Sequence, residues 1–134
     1  MPRYAFGAGA LMLAVASSIL WARQGAEPPA VVRKMLLQQD LPIPGYSVVL
    51  VSVEIPPGGR EGRHTHSGAL AGYVQEGVVI LDTEGRPSMT YKAGDTFFVE
   101  ADKIHEGINN GTVTAKAIAT LVVPKGQPPT TPVK

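Results

Sequence analysis

The chain reads as one all-β domain closed into a small barrel, preceded by an apolar targeting segment. Three observations predict this. Fifteen glycines and 12 prolines in 134 residues break the chain at short intervals, which favours many short strands over long helices. The runs between the breaks are rich in β-branched residues, the side chains that pack well on a pleated surface. Hydrophobic residues make up 44% of the chain, enough for one core, and the length leaves no room for a second domain.

Composition also excludes several functions. The formal net charge is +1, from 12 basic and 11 acidic residues, and no basic tract stands out, so nucleic acid is not an expected partner. There is no cysteine, which removes disulfides, thiolate metal sites and cysteine nucleophiles.

Residues 1–26 carry the pattern of an export signal. Arg3 precedes an uncharged run from Tyr4 to Ala22, and Arg23 closes it. Two cleavage positions fit in part, Ala14-Val15-Ala16 and Gln24-Gly25-Ala26. The run is also close to the minimum for a bilayer span, so an uncleaved N-terminal anchor helix stays open. Both readings put the folded part in the periplasm or another extracytoplasmic space. In the anchor reading the membrane is touched through this segment alone.

Residues 27–45 read as a proline-stiffened linker and an edge strand. Val31 to Leu41 suits helix or strand, and Pro42 and Pro44 stop it; the β-like sequence that follows favours the strand. Residues 46–123 read as the barrel. Tyr46–Ile55 is a strand with Val49, Val51, Val53 and Ile55 on one face and Ser52 and Glu54 on the other. It ends at the turn Pro56-Pro57-Gly58-Gly59. Further strands are expected over about 62–65, 71–75, 78–82, 88–91, 96–99, 104–108 and 112–123. Turns fall at Glu84-Gly85 and at Asn109-Asn110-Gly111, where Asn and Gly readily take positive φ. Val74, Phe97, Phe98 and Ile118 are expected to fill the barrel, and Tyr73 and Gln75 to pack away from it. Residues 124–134 form a proline-rich tail, expected to be extended or loosely held.

The chemistry concentrates in three histidines, His64, His66 and His105, which are all the histidines of the chain. His64 and His66 are two apart in a strand, so their imidazoles face the same way. A third histidine from a distant strand can complete a three-nitrogen cup for a divalent metal.

The surroundings of these residues resemble the two motifs of the cupin superfamily. Gly58, five residues, His64-Thr65-His66 and then Tyr73-Val74-Gln75-Glu76-Gly77 is similar to the first: Gly, five residues, His-x-His, three or four residues, Glu, six residues, Gly. The second motif, Gly, five residues, Pro-x-Gly-x-x-His, three residues, Asn, looks like Gly94 through His105 to Asn109. Glu100 stands in the proline place and Asp102 in the glycine place. The resemblance spans roughly Val31 to Val123 and implies a jelly-roll β-barrel. It implies His64, His66 and His105 as ligands of one divalent metal, with iron, zinc, nickel or copper favoured over manganese.

One departure stands out: the family's glutamate ligand falls on Leu70. Leu70 shares strand parity with the two histidines and should face the same cavity. The implied set is therefore neutral and leaves at least one coordination position open. Glu61 and Glu106 are the candidate replacement carboxylates, the latter expected to face away. The superfamily hosts enzymes and binding modules alike. The resemblance thus leaves three functions: a metal-dependent module binding or sensing a small molecule, a metal-dependent dioxygenase acting on a small organic substrate, and a degenerate metal-free barrel. It also implies a homodimer, for which Val31–Leu41 could supply an edge.

Overall fold

The computed structural model describes Glu27 and residues 29–134. The export or anchor segment expected over residues 1–26 lies outside the described residues. Among those described, no helix is long and apolar enough to cross a membrane. The described chain is built of ten strands: β1 Val32–Asp40, β2 Tyr46–Ile55, β3 His64–Thr65, β4 Ala69–Glu76, β5 Val78–Thr83, β6 Met89–Lys92, β7 Thr96–Val99, β8 His105–Ile108, β9 Ala115–Pro124 and β10 Thr131–Pro132.

These strands form two five-stranded antiparallel sheets. One runs β1-β2-β9-β4-β7, the other β10-β3-β8-β5-β6. The sheets face each other across a core that joins Val49, Leu70, Val99, Leu121 and Val123 of the first to Leu81 of the second. A second cluster joins Ile55, Val74 and Ala115 to Val79. This is the expected jelly-roll arrangement, and Val31–Leu41 resolves as an edge strand. Val49, Val74 and Val99 are fully buried. Each such side chain contributes about 1.5–3 kcal/mol, whereas an ion pair in solvent such as Arg86–Glu100 is screened and adds little. The apolar interior therefore holds the barrel shut.

The inward row of β2 is Val49, Val51, Val53 and Ile55, as alternation requires. The inward row of its neighbour β9 is Ala115, Ala117, Ala119, Leu121 and Val123. Three alanines in a row on a ten-residue central strand leave space that larger side chains would fill. That space is where the functional site lies.

The structure corrects the sequence expectations at four places and decides a fifth. Phe98 is 59% exposed, because it alternates with the inward Phe97 and Val99. Ile118 lies on the outer face of β9, between the inward Ala117 and Ala119. Tyr73 and Gln75 do face away from the cavity, but they meet solvent rather than packing. The turn at Asn109–Gly111 uses no positive φ. Instead the buried Asn109 side chain donates to the carbonyls of Ile55 and Val113 and accepts from the Gly111 amide, at 2.7, 2.8 and 2.9 Å. Of the two expectations for the tail, extended or loosely held, the first holds where β10 pairs with β3.

Backbone crowding is tightest where the chain enters β4. A Cβ on Gly68 would fall 1.7 Å from the Val122 carbonyl oxygen of β9. Gly68→Ala must push two backbones apart and is expected to cost about 1–3 kcal/mol, read as a lowered thermal midpoint. Phe98→Ala, on the exposed face, is expected to change stability by less than about 0.5 kcal/mol.

Candidate metal centre

Strand pairing brings the three histidines together. His64 of β3 lies directly opposite His105 of β8, so their side chains rise on the same side of the sheet. His66 follows two residues on, with the same parity. The ring centroids lie 4.4 Å apart for His64 and His105, 4.8 Å for His64 and His66, and 4.9 Å for His66 and His105. All three side chains are buried, and one ligand atom from each lies within 4.8 Å of the others.

Hydrogen bonding decides which nitrogen each ring offers. Nδ1 of His64 lies 2.7 Å from the Gly62 carbonyl, and Nδ1 of His105 lies 2.8 Å from the Lys103 carbonyl. Nδ1 of His66 lies 3.0 Å from the Pro129 carbonyl and 3.1 Å from the Thr130 hydroxyl. A carbonyl can only accept, so each Nδ1 carries the proton and each Nε2 keeps its lone pair. Positive φ occurs at one of these carbonyl residues and beside another. Gly62 has φ of 78°, and Asp102, in the glycine place of the second motif, has φ of 60°.

Burial also favours the uncharged form of His66 and His105. It pushes His66 down to about 4, with the nearby His64 adding to the effect and the hydrogen bond to Pro129 opposing it. Burial likewise lowers His105 against the opposing bond to Lys103. Neutral imidazoles with bare Nε2 atoms fit a divalent metal of the zinc, iron, copper or nickel kind. Two bonds of ~2.1 Å meeting at a tetrahedral angle set their nitrogens ~3.4 Å apart, and the ligand atoms here lie within 4.8 Å of one another, so the cup would draw together by up to ~1.4 Å around an ion.

The carboxylates stand elsewhere. Leu70 lines the same cavity, opposite Val99 and Leu121. Glu61 also lines it, but its oxygens are engaged, Oε2 by the Gly107 amide at 3.0 Å and Oε1 by Arg33 at 3.2 Å. Glu106 faces away from the cup, as expected, and is buried in an ion pair with Arg60. Among the described residues the cluster of candidate ligands is His64, His66 and His105 alone. The rest of the cavity is mostly apolar and its volume is about 70 Å³, well below the ~300 Å³ of a pocket for a drug-sized ligand.

Two residues at the cavity were not singled out from sequence. Arg33 of β1 sits opposite the inward Val53, a parity that a bulge between Met35 and Leu37 obscures. Thr130 comes from the tail, 64 residues from the histidine it touches, and no local pattern signals it.

The profile of the Cupin domain family matches residues 51–124, more than half of the chain. No curated protein matches. Among solved structures, an uncharacterized conserved protein with a double-stranded β-helix domain from Klebsiella pneumoniae superposes with a TM-score of 0.64 at 19% identity, over 78% of this chain and 84% of that one. An oxalate oxidase in complex with the substrate analogue glycolate gives 0.64 at 20% identity, over 81% of this chain and 57% of that one. A DMSP lyase from Ruegeria pomeroyi gives 0.58 at 16%, over 64% of this chain and 43% of that one. At these identities the likeness is one of fold.

The depressed histidine pKa values make the metal-free fold sensitive to acid. An unfolded histidine titrates near 6.5 and His66 in the fold near 4, so between these values the unfolded chain binds more protons. Stability is full above about pH 6.5 and is lost as pH falls towards 4. Thermal melts of metal-free protein in a pH series should show this fall, and His66→Gln should make it shallower.

Proposed function

The chain belongs to the cupin domain family, and we propose that it is an exported module that holds one divalent metal on His64, His66 and His105 and binds a small organic anion at the open coordination positions. The observation that carries this reading is the shared engagement of Nδ1 by carbonyls, which leaves three Nε2 lone pairs in one buried cup.

Charge supports the ligand class. The imidazoles are neutral, so a bound ion keeps its double charge. The charges of Arg33 and Glu61 offset each other. An anionic ligand neutralises the remainder in an apolar cavity, where Coulomb attraction is strong. The cavity volume favours a ligand of a few heavy atoms. The glycolate of the oxalate oxidase structure is a small carboxylate of this kind.

Binding without turnover is preferred to dioxygenase chemistry because no side chain among the described residues stands ready as a base. Leu70 occupies the carboxylate place, and both Glu61 oxygens are hydrogen-bonded. We further propose that the protein is a homodimer joined through β1. Among the described residues that strand is one of the two edges of its sheet, and it exposes Val32, Met35, Leu36 and Leu37. Antiparallel pairing of two such edges makes a two-fold contact.

Elemental analysis of untagged protein should find close to one metal per chain, lost in His64→Ala or His105→Ala; a metal-free native chain would sink the reading. Leu70→Glu should tighten manganese binding by about tenfold or more, a gain of ~1.4 kcal/mol. Oxygen uptake by the iron-loaded protein with candidate thiols or diketones would transfer it to the dioxygenase class. Sedimentation should give a dimer, and Leu37→Lys a monomer.

A further inference from the structure

The three histidines are not held alike. His64 and His105 are each braced by a carbonyl two residues back in their own loops. His66 is braced only by the far end of the chain, through the Pro129 carbonyl and the Thr130 hydroxyl. That end is docked as a strand. Thr131 pairs with Thr65 and Pro132 with His64, and the Val133 amide donates to the Arg63 carbonyl at 2.9 Å. The approach is fixed as well: the Lys125 amide donates to the Gly45 carbonyl at 2.9 Å, and its ammonium pairs with Asp40 at 2.9 Å. Thr130 itself lines the cavity.

From this we infer that the C-terminal segment is a working part of the proposed metal centre, with Thr130 and the Pro129 carbonyl positioning His66, so that docking of β10 and occupancy of the cup are coupled. The inference rests on the metal reading above for its second half only. A histidine ring turns readily about its terminal torsion, and without a Nδ1 partner it also exchanges tautomers. An undocked tail therefore leaves one ligand misaimed, or presenting a proton where the ion needs a lone pair. Partners of this kind typically change metal affinity about 10- to 100-fold when removed. The segment suits the task. Pro128, Pro129 and Pro132 restrict its undocked conformations, which lowers the entropy lost on docking. Linkage is reciprocal, so a tail that raises metal affinity is itself held more firmly by the metal.

Four chains test this: native, Thr130→Val, Thr130→Ser, and one ending at Pro128. In metal-free protein, ring ¹H–¹⁵N correlations should show His66 protonated at Nδ1 in the native chain. Truncation should convert His66 alone to a tautomer mixture, with His64 and His105 unchanged. Zinc affinity by chelator competition should fall about 10- to 100-fold on truncation, fall less in Thr130→Val, and recover in Thr130→Ser. Zinc should slow hydrogen exchange at the Val133 amide by the factor that truncation removes from affinity. If His66 keeps its tautomer in the truncated chain, or zinc binds the truncated and native chains equally, the inference is overturned. If the native chain binds no zinc but truncation still alters His66 alone, the metal reading falls and the positioning role stands.

Discussion

The site depends on one constraint: each of three buried imidazoles has a carbonyl oxygen against its Nδ1. Burial disfavours the charged form of an imidazole. Burial alone would not choose a tautomer or fix a ring plane. A carbonyl does both, because it accepts and cannot donate. With the proton held at Nδ1, the opposite edge of every ring is a lone pair, and all three edges belong to rings whose centroids lie within 4.9 Å of one another. The two effects oppose each other on charge, with burial prevailing at His66 and His105, and only the carbonyl supplies direction, which is what makes a ligand.

The two sheets divide the work. The β10-β3-β8-β5-β6 sheet supplies the histidines, through the direct pairing of His64 with His105. The opposite sheet supplies an apolar wall and, through Ala115, Ala117 and Ala119, the room in front of it. Neither sheet makes a site alone. The wall without the cup is an ordinary core. The cup without the wall would meet water, which competes for the same nitrogens and relieves the burial that lowers the pKa values of His66 and His105.

Much of this was legible in the sequence, and the misses share a cause. Alternation in β2 placed Val49, Val51, Val53 and Ile55 on one face, and the structure turns that face inward. The pairing of His64 and His66 on one side followed from the same rule. The errors arose where hydrophobicity was read instead of alternation. Phe97 and Phe98 are adjacent, so a regular strand cannot bury both. In β9 the larger Ile118 faces out while its alanine neighbours face in, because a face that must leave a cavity selects small residues. Arg33 and Thr130 lay beyond the rule altogether. A bulge hides the parity of the first. The second reaches its histidine through a fold-level contact across 64 residues, which no local period encodes.

Leu70 gives the proposed function its character. A carboxylate at that position would cancel half the charge of a divalent ion and hold it whether or not a ligand were present. A leucine cannot, and the acids nearby are committed, Glu61 to Arg33 and the Gly107 amide, Glu106 to Arg60. On the proposed reading, a dication in this cavity is therefore stabilised by whatever anion fills its remaining positions. Low dielectric makes the uncompensated charge costly and the compensated one favourable. Metal and ligand then bind more tightly together than either binds alone, with the same coupling factor read from each side. Such a centre releases its metal readily when the ligand is scarce and retains it when the ligand is abundant, which suits a module that reports on a ligand better than an enzyme that must keep its cofactor through every cycle.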